Sequence, residues 1–195
     1  MSVKIGEIIE ARTDQFIAEC YELHNSPPFG SLVKTAEGKL DIYAIVHNAS
    51  TSSIEPGRRP IARGKQETGE DDIYRNNPQL YKLLRTEFSG LIVGYRDGDA
   101  VYHYLSPRPA HVHGFVYQCS NKELLEFTRA LDFLTILVNS NISYSSDELV
   151  TACLRQVAQA YDDKYAFMVK AGKNLALLLC NEPQRLDAVL RRMVL

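Results

Sequence analysis

The sequence has no apolar run long enough to cross a membrane, no CxxC pair, no framed nucleophile and no phosphate-binding loop. Its opening stretch, MSVKIGEIIEAR, carries Lys4, Glu7, Glu10 and Arg12, so it lacks the uninterrupted apolar core of a signal peptide or transmembrane helix. A cytoplasmic protein with no membrane contact is the expectation. The four cysteines, Cys20, Cys119, Cys153 and Cys180, stand far apart with no His at zinc-ligand spacing, which predicts buried free thiols; a structural disulfide would conflict with a reducing compartment. A phosphate-binding loop needs GxxxxGK[ST], whose backbone amides cradle phosphates while Ser or Thr holds magnesium. The nearest match, Arg63-Gly64-Lys65-Gln66, has Arg59 where the first Gly belongs and Gln66 in place of the hydroxyl. No nucleophile elbow orients the Ser, Cys and His residues for covalent catalysis. These features predict a protein without cofactor, metal or catalytic residues. A net charge of −2 and a pI near 6.2 supply no global field for nucleic acid or an anionic membrane.

What remains is an ordinary globular composition, 45% hydrophobic and 24% charged over 195 residues, enough to bury a core without a partner or metal. Val3, Ile5, Ile9 and Ala11 recur with period two and predict a strand, with Gly6 marking a bend. A turn at Thr13-Asp14 leads into a second strand over 15–23, and Pro27-Pro28 ends it. A short strand over 32–34 turns through Ala36-Glu37-Gly38 into a strand over 39–48, with Leu40, Ile42, Ala44 and Val46 on one face. Residues 49–72 are rich in Ser, Thr, Gly, Pro and charge and read as one long exposed loop. Asn77-Pro78 opens a short helix through residue 84, with Leu80, Leu83 and Leu84 as its contacts. Strands over 88–95 and 100–105 form a hairpin across Asp97-Gly98, and a last strand covers 112–118.

The character changes at Ser120. Ser120 and Glu123 match a capping box and predict a helix to about residue 139, with Leu124, Phe127, Leu131, Leu134 and Val138 as its buried stripe. Ser145 and Glu148 repeat the pattern and start a helix to about residue 161. Residues 165–180 favour a helix by their Ala, Leu and Met content, although Ala171-Gly172-Lys173 between apolar runs also suits a hairpin. Pro183, followed by Leu186, Val189, Leu190, Met193 and Val194, marks a terminal helix. The fold class is therefore α+β: a small β-barrel domain over 1–119, with its loop at 49–72, then a bundle of short helices over 120–195.

The order of these strands carries a resemblance. Lys4-Ile5-Gly6-Glu7-Ile8, Phe29-Gly30-Ser31-Leu32-Val33, Tyr43-Ala44-Ile45-Val46, Leu91-Ile92-Val93-Gly94-Tyr95 and Ser106-Pro107-Arg108-Pro109 resemble the HAS barrel, the small β-barrel shared by HerA-type hexameric ATPases and rotary ATP synthase subunits. It covers roughly residues 3–119. In HerA-type proteins a motor domain opening with a phosphate-binding loop follows the barrel, and here only the helical third follows. The resemblance implies a stand-alone barrel without its motor: a non-enzymatic adaptor or assembly module that self-associates or docks on a ring ATPase. The alternative it suggests is a nucleic-acid-binding accessory of DNA processing.

Four cations, Arg58, Arg59, Arg63 and Lys65, form the best local candidate for contacting phosphate or an acidic partner. The acidic Glu67, Glu70, Asp71 and Asp72 follow at once, so self-compensation within the loop or docking on a protein is favoured over nucleic acid. That acidic group lacks the spacing of a calcium loop. Tyr74, Tyr81 and Phe88 have rings that stack bases or pack a core. His111 and His113, two apart on a predicted strand, would point the same way at a spacing that suits a shared metal. The sequence places no third ligand beyond the option of His103 on the neighbouring hairpin, and scattered surface or core histidines are the favoured reading.

Overall fold

The computed structural model describes residues 3–142 and 145–193. Seven strands, β1 (Val3–Ala11), β2 (Gln15–Cys20), β3 (Leu32–Glu37), β4 (Leu40–Ser53), β5 (Leu84–Asp97), β6 (Ala100–Tyr102) and β7 (Phe115–Gln118), make one antiparallel sheet in the order β2-β1-β7-β3-β4-β5-β6. A further pairing of β2 with β5 closes the first six into a barrel, and β6 hangs outside the ring on β5. Two short helices, α1 (Glu70–Asn76) and α2 (Leu80–Leu83), sit between β4 and β5. Five more follow the barrel: α3 (Asn121–Phe127), α4 (Leu134–Val138), α5 (Ser146–Ala158), α6 (Lys164–Leu178) and α7 (Pro183–Arg192). The chain is thus α+β, a closed six-stranded barrel followed by short helices.

The barrel interior holds Ile8, Phe16, Ile42, Ala44, Val46 and Phe88, so the period-two pattern over 40–46 points where expected. Gly90 makes room there, because a Cβ on it would lie 2.8 Å from the Phe16 ring. The opposite face of the same wall, with Leu32, Tyr43, Ile45, Leu91 and Val93, is covered by Phe127, Leu134, Leu149, Leu154 and Phe167 of the helical layer. Residues 42–47 are consequently all buried, since each face of β4 meets its own core. Gly30, at φ 83°, lets the lead-in to β3 approach α5; a Cβ would sit 2.6 Å from the Cys153 amide. Lys34 of β3 reaches Glu123 of α3 at 2.7 Å and Asp41 of β4 at 3.3 Å, and Arg96 of β5 pairs with the same Asp41. Burial works against the Lys34 ammonium, but the bonds and attraction from Glu123 and Asp41 outweigh it and hold its pKa above the ordinary lysine value.

Ser120 and Glu123 form the full capping box. The single helix expected over 120–139 is instead two, broken between α3 and α4. A straight helix would bury one stripe, whereas the broken chain buries Leu131, Phe133, Leu134, Leu137 and Val138 together. Thr128 closes α3, its hydroxyl donating to the Leu124 carbonyl at 2.6 Å and lying 3.0 Å from the Tyr161 hydroxyl. At α5 the Ser145 hydroxyl accepts from the Asp147 amide, while Glu148 turns to Arg192 of α7 at 2.6 Å, so the second box is only half built. Over 165–180 the chain is helical as far as Leu178 and then turns, so the hairpin alternative falls away. Arg185 of α7 clasps the α4–α5 junction, donating to Asp147, Ser146 and the Val138 carbonyl at 2.8–3.0 Å. Val194, expected on the terminal helix, lies outside the described residues.

The long loop is shorter than its composition predicts. β4 runs on to Ser53 and pairs with β5 down to Leu84, forming an antiparallel arm over 48–53 and 84–89 whose β5 residues 87–89 are still paired with β2. Asn48, Ala49, Ser50 and Thr51 are exposed, so no apolar alternation marks this stretch in the sequence. The acidic residues Glu70, Asp71 and Asp72 form the first turn of α1, where negative charge favours the helix dipole. The strands expected over 15–23 and 100–105 end early, at Cys20 and Tyr102, and the one expected over 112–118 begins late, at Phe115. Among the described residues no helix is long and apolar enough to cross a membrane.

Candidate functional site

Residues 54–83 form a lobe at the tip of the arm, and it carries all four candidate cations. Arg58, Arg59 and Arg63 line one small recess of about 50 Å³ together with Ser53 and Glu55. Lys65 is not part of it. Arg58 pairs with Glu55 at 2.7 Å, and Arg63 donates to the Asn77 side chain at 3.1 Å. Arg59 and Lys65 pair with no carboxylate among the described residues. Two of the acidic residues are satisfied elsewhere: Asp72 accepts from Thr68 at 2.7 Å and pairs with Arg75 at 2.8 Å, and Glu67 accepts from Asn76 at 2.9 Å, whereas Glu70 and Asp71 line the same open cleft as Arg63. No direct ion pair joins the two clusters among the described residues. The compensation inside the loop is the exposed Arg58–Glu55 pair.

Beside the recess lies an open cleft of about 600 Å³, sharing Pro60, Ile61, Arg63 and Leu80 with it and adding His24, Tyr74 and Tyr81. Tyr74 packs against Tyr81 with ring centroids 5.3 Å apart and shares a 2.5 Å hydrogen bond with His24 Nε2. Ile61 is 74% exposed and Tyr81 60%, so the cleft presents apolar surface beside the Arg63 guanidinium and the Glu70 and Asp71 carboxylates. Phe88, the third expected ring, is absent from the cleft. It is 1% exposed inside the barrel, edge-on to Phe16. His24 had no signal in the sequence, because its φ of 64° and its partners Tyr74, Thr51 and Thr86 are set by the arm folding back over it.

The histidines do not converge. His111 and His113 precede β7 and occupy a turn, where His113 has φ 68°. His111 Nε2 meets Glu37 at 3.0 Å, and His113 Nδ1 meets Glu7 at 2.5 Å. The His113 bond is the main reason the Glu7 carboxyl sits below the usual range. His103 is held elsewhere, Nε2 at 2.9 Å from the Phe127 carbonyl, at the edge of an open cleft of about 1100 Å³ between the β5–β6 hairpin and α3. Burial lowers its pKa, against a raising effect of the Phe127 carbonyl and Asp132. Among the described residues no three His, Cys, Asp or Glu side chains are arranged to hold a metal ion.

All four cysteines are free. Cys20, Cys119 and Cys153 are buried, but Cys180 is exposed just past α6, contrary to the expected burial of all four. Desolvation pushes the Cys20 thiol up to about 11 and the Cys153 thiol to about 12, so both stay protonated and unreactive at neutral pH. Gly64 and Lys65 lie in a turn closed by the Glu67 amide on the Gly64 carbonyl, without the strand and helix that a phosphate-binding loop joins. No protein-family model matches the chain, and no curated protein matches it at a significant level.

Proposed function

We propose that the chain is a non-enzymatic adaptor or assembly module of the cytoplasm. The HAS-like barrel and its helical layer are the scaffold, and the arm-borne lobe is the docking surface. Its partner is a HerA-type or related ring ATPase, or a second copy of the chain. The observation that carries this reading is the lobe itself: exposed Ile61 and Tyr81 beside Arg58, Arg59 and Arg63, displayed at the end of an arm and tied to the body by few buried contacts. Exposed tyrosine and aliphatic side chains beside arginine, here with the acidic Glu55, Glu70 and Asp71 close by, are the composition of protein-binding hot spots. Crosslinking in native cells tests it. The full chain should join a ring ATPase or a related assembly, and a chain with residues 54–83 replaced by a short turn should not. Recovery of the full chain only as monomer overturns the reading.

A second reading, a nucleic-acid-binding accessory, is favoured by one arrangement: three arginines next to the Tyr74–Tyr81 pair, cations for phosphates beside rings for bases. Retention on single- or double-stranded DNA that weakens steeply with salt supports it, and no retention at low salt ends it.

A further inference from the structure

The arm has an open side. β3 pairs with β4 only as far as Ile45, and the last bonds on that side join Val46 to Gly30 and Ser31. Beyond them, among the described residues, nothing pairs with the outer edge of β4. The Ile54 amide donates to the Leu83 carbonyl opposite it. Antiparallel pairing alternates, so Ser52 and Ser50 also bond to β5, and the amides and carbonyls of Ala49, Thr51 and Ser53 face outward. The other side of β5 agrees: the Ile92 amide donates to the Asp14 carbonyl, which turns Phe88 and Gly90 toward β2 and Glu87 and Ser89 toward β4. A bulge between Val46 and Asn48 sets this phase, releasing β4 from β3 while keeping it on β5.

Proteins usually guard such an edge with Lys, Pro or inward charges. The sequence here, Asn48-Ala49-Ser50-Thr51-Ser52-Ser53, has none of these. It is small, uncharged and exposed as far as Thr51. At its far end the edge meets the recess, because Ser53 lines the same hollow as Arg58, Arg59 and Arg63. A strand laid along the edge therefore ends among three guanidinium groups and Glu55, which holds Arg58; Arg59 and Arg63 pair with no carboxylate among the described residues.

We infer that β4 accepts an extended segment of a partner protein as an added strand, hydrogen-bonded to Ala49, Thr51 and Ser53, with carboxylates at the Ser53 end held by Arg58, Arg59 and Arg63. Main-chain bonds supply the attachment and the arginines fix its direction and register. This rests on the docking reading above and specifies its mode. A second copy is the poorer occupant: a two-fold pairing of the edge with itself places each arginine recess beside the uncharged Asn48 end of the other copy and leaves the cations without acids.

The test uses the full chain and a displayed library of random linear peptides. Enriched peptides should be extended, free of Pro and acidic at one end. Hydrogen exchange should show that they protect the Ala49, Thr51 and Ser53 amides. Thr51→Pro removes an outward amide without breaking a backbone bond to β5, but it also removes the hydroxyl that meets Thr86 and His24; Thr51→Val removes that hydroxyl alone, so T51P should abolish binding and T51V should leave it intact. The exposed triple variant R58Q/R59Q/R63Q keeps the backbone and should weaken binding about tenfold or more. No enrichment, or peptides that bind without protecting these amides and without an acidic preference, overturns the inference. Crosslinking to a ring ATPase that persists in T51P and in the triple variant also overturns it, while leaving the docking reading intact; loss of all crosslinking by the unmodified chain is failure of that reading instead.

Discussion

β4 and β5 each live in two environments. Over 42–47, β4 has the barrel core on one face and the helical layer on the other, and every residue is buried. Over 48–53 the same strand leaves the barrel, keeps one neighbour and turns polar. The pairing with β5 continues without interruption apart from two bulges. What changes is the side chains, and with them the source of stability. Burial holds the first half in place, and the second half is held by backbone bonds to β5 and leaves its other edge free.

That contrast is broken most forcefully from the core. Leu149 of α5 is fully buried in the cluster over the barrel wall, and Leu149→Ala should cost about 2–5 kcal/mol in chemical denaturation. A loss below about 1 kcal/mol would mean the helical layer does not share its core with the barrel. Next in size is the charged joint between barrel and helix. Glu123→Ala removes half of a capping box and a partner of Lys34, for a loss of about 1–3 kcal/mol. In a double-mutant cycle with Lys34→Met the two effects should not add.

The buried histidines sharpen the comparison through pH. His47 is 7% exposed at the bulge where the two halves meet, and neither ring nitrogen has a hydrogen-bond partner. Burial lowers the pKa of His47, as it does that of His103, so the unfolded chain binds these protons more readily. The stability they contribute is complete above the ordinary histidine value of 6.5 and is lost as pH falls through the lowered folded values. Denaturation midpoints across pH should therefore drop on the acid side, and His47→Leu should flatten part of that slope. An unchanged slope would place a proton partner on His47. The smallest effect belongs to the lobe. Ile61→Ala with Tyr81→Ala should change stability by no more than about 0.5 kcal/mol, because both side chains face solvent, and any larger loss would make the lobe part of the scaffold.

The barrel was legible because its strands alternate: Ile42, Ala44 and Val46 point inward as their spacing requires, and Ser120 with Glu123 announces α3. The arm was hidden for the opposite reason. Its strand is Asn, Ala, Ser and Thr, exposed on both faces over 48–51, so only pairing with β5, some thirty-five residues away at Thr51 and Thr86, makes it a strand. The break after Phe127 was also hidden, since Leu131 and Leu134 fit a continuous stripe, and only the burial of Phe133 and Leu137 requires the turn. Of the candidate site, the arginines could be named from charge alone. The assembly of Arg58, Arg59 and Arg63 around one recess, and of His24 with Tyr74, depends on contacts remote in the chain.

The most direct test is residue-resolved hydrogen exchange along β4 in the free, dilute protein. The amides of Ser50 and Ser52, bonded to β5, should exchange slowly beside fast neighbours at Ala49, Thr51 and Ser53, after uniformly slow exchange over 42–46. Slow exchange at Ala49, Thr51 and Ser53 as well would show the edge already occupied and would contradict the account.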